Sequence, residues 1–98
     1  MNKIHFTTKE EFEELIKNKD YQLSKMIVDT MMCELEKDLN QDNIYIAEVR
    51  FGNSDVIFDV SVCKEHYAST LFENLKNFER VENYEDCDRI LKMINKLR

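Results

Sequence analysis

The 98-residue sequence has no proline, no tryptophan and a single glycine, Gly52. Phosphate-cradling loops and dinucleotide fingerprints need several glycines at fixed spacing, so both are excluded. With neither proline nor Gly/Ser-rich runs there is no linker and no low-complexity segment, and residues 1–98 are expected to form one domain. No apolar run approaches the ~18 residues of a membrane helix. A signal peptide is not expected either, because no apolar core follows a charged start at Met1. The three cysteines, Cys33, Cys63 and Cys87, are odd in number and far apart, which suits reduced thiols in a reducing compartment and gives a cytoplasmic expectation.

Hydrophobic residues make up 43% and charged residues 35% of the chain, enough apolar content for a core without disulfides or metal. Twenty acidic side chains against fourteen basic give a net charge of -6. That balance argues against direct contact with nucleic acid and favours a basic protein partner.

The stretch from Asn43 to Cys63 alternates on both sides of Gly52 and predicts a β-hairpin. Strict alternation places Tyr45, Ala47, Val49 and Phe51 on the core face of the first strand, and Val56, Phe58, Val60 and Val62 on that of the second. Pairing Val49 with Phe58 and Ala47 with Val60 leaves Gly52 to Asp55 as the turn and turns Ile44, Ile46, Glu48, Arg50, Ile57, Asp59 and Ser61 outward. Glu48 then opposes Asp59, an unfavourable carboxylate pair unless Arg50 or a partner's cation offsets it. Ile4 and Phe6 alternate with Lys3 and His5 as in a short strand.

Four helices complete the pattern. Thr8 followed by Glu11 is a capping box that starts one over Lys9 to Asn18, with Phe12, Leu15 and Ile16 as its apolar stripe. Asp20 caps a longer helix from Tyr21 to Asn40, apolar over an arc wide enough to meet the sheet, another helix or a second copy of the chain. A third spans Lys64 to Phe78, with Tyr67, Leu71, Leu75 and Phe78 in phase. The fourth starts near Asn83 and carries Tyr84, Cys87, Ile90, Leu91, Ile94 and Leu97 inward. The fold class is α+β, a small antiparallel hairpin or three-stranded sheet packed with about four helices.

No constellation for catalysis stands out. Cys63 and His66 have metal-ligand spacing but lack a second close pair, and Cys33 and Cys87 fall on apolar helix faces where cysteine is a small buried hydrophobe. No metal, no cofactor and no enzymatic activity are expected. Glu79, Glu82, Glu85, Asp86 and Asp88 bunch around an interhelix turn together with Tyr84, and form the candidate partner surface. Glu48 and Asp59 on the hairpin form a second candidate.

Leu15 to Tyr21, the later hairpin, Phe72 to Phe78 as a helix, and Tyr84-Glu85-Asp86 opening the last helix resemble small phage-encoded anti-CRISPR inhibitors of the type II effector nuclease. In those inhibitors strands follow soon after the Lys-Asp-Tyr segment, whereas here a helix intervenes. The resemblance implies an acidic protein that occupies the nuclease's basic DNA-binding groove, with Tyr84, Glu85, Asp86 and Asp88 at the matching positions. An immunity protein or antitoxin that neutralises a nuclease toxin has the same acidic, compact design. A homodimeric structural module using the wide apolar helix is the third reading.

Overall fold

The computed structural model describes residues 2–18, 20–53 and 57–98. The elements run β1 (Asn2–Phe6), α1 (Lys9–Lys17), α2 (Tyr21–Lys37), β2 (Asn43–Phe51), β3 (Ile57–Cys63), a 3-10 turn (Lys64–His66), α3 (Tyr67–Arg80) and α4 (Tyr84–Leu97). This is an α+β fold in which three strands pack with four helices. The expected turn from Gly52 to Asp55 and the place of Val56 fall partly outside the described residues.

The helix starts follow local chemistry. Thr8 Oγ1 accepts from the Glu11 amide at 3.3 Å, while the Glu11 carboxylate accepts from the Thr7 amide at 3.0 Å, one residue earlier than in a standard capping box. Asp20 accepts from the Leu23 amide at 2.9 Å and so caps α2. α2 stops at Lys37 rather than Asn40, leaving Leu39 at the surface. The side chain of Gln41 holds this exit by donating to the Glu34 and Asp38 carbonyls. α3 begins three residues later than expected, because Lys64–His66 winds as a 3-10 turn first.

β2 is the central strand, with β1 parallel on one side and β3 antiparallel on the other. The expected pairs Ala47 with Val60, Glu48 with Asp59 and Val49 with Phe58 all form. The faces, however, do not follow strict alternation. A bulge between Tyr45 and Ala47 sets two residues of β2 against one step of β3, so alternation restarts and Ile46 and Ala47 are both buried. Ile44 and Ile46, expected outside, are therefore core residues at 1% exposure, and Tyr45, expected inside, lies on the open face. Asn2 clamps the bulge: its Nδ2 donates to the Ile46 carbonyl and to Thr30 Oγ1, both at 2.9 Å, tying β1 and α2 to it.

The core lies between the sheet and α2, α3 and α4, around Met31, Leu35, Ile44, Ile46, Tyr67, Leu71, Phe78 and Ile90. Two polar groups are built into it. Asn77 donates to Ser24 between α3 and α2, and Tyr67 donates to the Gln41 carbonyl at 2.8 Å. Each buried polar atom thereby keeps a partner, which removes the desolvation penalty an orphan would carry. Burial pushes the Tyr67 phenol pKa up, with the charge of Asp42 adding to it.

Several residues expected inside are at the surface. Phe58 is 53% exposed and lies at the margin of a satellite cluster, in which Phe6, Phe12 and Phe51 are mutual ring neighbours and the Phe58 ring centre is 5.6 Å from that of Phe51. Ile16 is also exposed, since α1 rests on β1 through one side only and buries no residue fully. On α4 the inward face is Cys87, Ile90, Met93 and Ile94, a spacing that turns Tyr84 and Leu91 out. Cys33 and Cys63 are exposed, and only Cys87 is the buried hydrophobe that both helix cysteines were expected to be.

Candidate functional site

The acidic residues gather where α3 turns into α4. The last turn of α3 closes with the Glu82 amide donating to the Glu79 carbonyl at 3.0 Å and the Asn83 amide donating to the Phe78 carbonyl at 2.9 Å. This is the Schellman hydrogen-bond pair, and it requires a left-handed residue after the cap. Glycine usually fills that position, but here it is Glu82, at φ 61°. Asn83 then caps α4 by accepting from the Asp86 amide, while its Nδ2 donates to the Asp86 carboxylate and to the Tyr21 hydroxyl. The turn is thus fixed to α2 as well as to the two helices it joins.

The five carboxylates do not share one role. Asp86 is half-buried, accepts from Asn83 and from Arg89 at 3.1 Å, and sits in the first turn of α4, where the helix dipole favours it. Asp88 pairs with Lys92 at 2.8 Å one helical turn on, and this contact raises the lysine pKa. Glu85, also in that first turn, is exposed. Glu79 and Glu82 stand at the C-terminal end of α3, where the helix dipole disfavours negative charge. Among the described residues neither Glu82 nor Glu85 enters an ion pair. Burial pushes the Cys87 thiol pKa up, and the charges of Glu79 and Asp86 add to the effect.

Apolar surface lies among these acids. Tyr84 is 64% exposed and Val81 45%. Val81 was not singled out from the sequence, although its place after the last buried residue of α3, Phe78, is a readable signal. Arg89 bridges Asp86 and, at 3.8 Å, Glu36 of α2.

The second candidate, Glu48 with Asp59, is on the open face of the sheet, well away in sequence from the turn. The two are directly opposed as expected. The relief comes from Tyr45, whose hydroxyl donates to Asp59, so that its own pKa is pushed up to about 12. Glu48 lines a groove of about 600 Å³ with Lys3, His5 and Arg50, and is the register partner of Lys3. The structure therefore separates the eight candidate residues into the turn and the sheet face. Cys63 ends β3 and His66 closes the 3-10 turn, and among the described residues no group of three or more His, Cys, Asp or Glu side chains is placed to hold a metal.

The chain matches no protein-family model, and no curated protein or solved structure shows significant similarity to it.

Proposed function

We propose that the protein is a small acidic, non-enzymatic inhibitor that uses the α3–α4 turn to occupy the basic groove of a nucleic-acid-handling protein, a nuclease in the first instance. The observation that carries this reading is Glu82. It holds an exposed carboxylate in a left-handed backbone conformation and at the unfavourable end of a helix dipole. A left-handed non-glycine residue costs about 1 to 2 kcal/mol, and strain retained at an exposed position is concentrated at functional sites. Exposed Tyr84 and Val81, interspersed along the turn with exposed Glu79, Glu82 and Glu85, add apolar surface among carboxylates, a combination that suits a protein interface. A CRISPR effector nuclease and a nuclease toxin both present such a basic groove, and the anti-CRISPR class is the first target to test.

The test replaces two of the carboxylates that enter no ion pair among the described residues, Glu82 and Glu85. Wild type and a Glu82→Lys, Glu85→Lys double variant are used to capture partners, followed by binding kinetics across a salt series. The expected outcome is a nuclease held by wild type and lost by the variant, with an association rate that falls steeply as salt rises. Equal capture by both proteins removes the turn from the interface. Asp86 is left in place because its carboxylate accepts from the capping Asn83 and from Arg89, and its replacement would confound binding with folding.

A further inference from the structure

The outer edge of β3 is untouched by the proposed function. β3 is paired with β2 on one side and with no strand on the other among the described residues. Its seven residues contain no proline and no lysine, and Asp59 is the one charged side chain along it, so little blunts the exposed edge. Ile57 and Phe58, 41% and 53% exposed, present apolar side chains on the two faces of this same edge. The opposite edge, β1, is shorter and has Lys3 within it.

We infer that β3 pairs with β3 of a second copy, antiparallel about a two-fold axis at Val60, so that two three-stranded sheets join into one of six strands. The register follows from side-chain chemistry. An axis perpendicular to the sheet keeps each residue on its own face, so only registers centred on a residue are allowed. Centring on Asp59 opposes two carboxylates, and centring on Val62 leaves only Ser61–Cys63 of β3 to pair, since the chain winds into the 3-10 turn at Lys64. Centring on Ser61 pairs only Asp59–Cys63 and leaves Ile57 and Phe58 without strand partners, whereas Val60 is the midpoint of β3. Centring on Val60 pairs Phe58 with Val62, Ile57 with Cys63 and Asp59 with Ser61, so apolar meets apolar, and the one charge meets a hydroxyl that can donate to it. The contact is symmetric and closed, which leaves no β3 edge to propagate a fibre.

Each copy carries a net charge of -6, and this register forms no ion pair across the axis, so added salt strengthens the dimer by screening repulsion. Binding of a basic partner at the turn weakens under the same change, so the two proposals fail separately. Sedimentation equilibrium of the full chain over a concentration series is expected to show a monomer–dimer equilibrium in the micromolar range, tighter at high salt. Ser61→Asp places a carboxylate opposite Asp59 twice per dimer and raises the dissociation constant by about tenfold or more. Ser61→Lys lowers it, and Asp59→Lys combined with Ser61→Asp restores dimerisation relative to Ser61→Asp alone. Both positions are exposed, and far-ultraviolet circular dichroism checks that the variants keep their fold. A monomer at every concentration, or the same shift for Ser61→Asp and Ser61→Lys, overturns the inference.

Discussion

At Glu82 a single backbone angle carries a measurable free energy. Replacing it with glycine relieves the left-handed strain, less what the unfolded chain gains in freedom, for a net stabilisation of about 0.5 to 1 kcal/mol. Denaturant titration gives the midpoint shift, and a Glu82→Gly protein less stable than wild type would show that the carboxylate itself holds the turn. Gly52, at φ 54°, is the opposite case: a Cβ there would stand 3.2 Å from the Thr7 carbonyl oxygen, so this position uses the chain's one glycine where strain and contact coincide. Tyr45 gives a second residue-scale prediction. Its pKa rises from 10.0 to about 12 because the neutral phenol donates to Asp59, so the contribution to stability is complete below pH 10 and is lost as pH climbs through about 12. Spectrophotometric titration of Asp59→Asn should bring the ionisation of that tyrosine back toward its ordinary range.

At the level of elements, the hairpin shows how far periodicity reaches. The pairs from Ala47 to Val49 were legible because Gly52 and the two apolar rows fix the register over that stretch. The bulge was not, because an extra residue leaves no mark on composition and shows only as adjacent apolar side chains, Ile46 and Ala47, which strict alternation assigns to opposite faces. Helix starts were legible through Thr8, Asp20 and Asn83, whose side chains cap in the structure. The inward faces of α1 and α4 were less so, since exposure of Ile16, Tyr84 and Leu91 depends on what packs opposite them. The candidate turn was visible as bunched charge, but the division between Asp86 held by the capping Asn83, Asp88 paired with Lys92, and Glu79, Glu82 and Glu85 outside any ion pair among the described residues required geometry. The corrected faces change the expected mutational pattern. Ile46→Ala should cost about 2 to 5 kcal/mol as a core truncation, and Phe58→Ala only about 1 kcal/mol, as loss of one half-exposed ring contact. Equal losses in chemical denaturation would place Phe58 back in the main core.

For the whole molecule, charge and shape divide into separate surfaces. The acidic turn lies at the junction of α3 and α4, whereas the open sheet face carries Lys3, His5 and Arg50 beside Glu48, so a net charge of -6 is not spread evenly. Among the described residues no helix is long and apolar enough to cross a membrane, in line with the absence of a long apolar run in the sequence.

The parallel pairing of β1 also dictates an order of assembly. Asn2 pairs with Ala47 and Phe6 with Phe51, contacts that exist only after α1 and α2 have brought the chain end back to the sheet. The hairpin β2–β3 and the α3–α4 pair close over short separations and can form first, whereas β1 must wait for a long loop to close. Ile4→Ala should therefore speed unfolding while leaving the refolding rate almost unchanged, a φ-value near zero, whereas Val49→Ala should slow refolding. In native hydrogen exchange the amides bonded between β1 and β2 should open before those between β2 and β3. Such an opening exposes the flank of β2 while the hairpin stays paired, making the amino-terminal strand the first part of the sheet to let go.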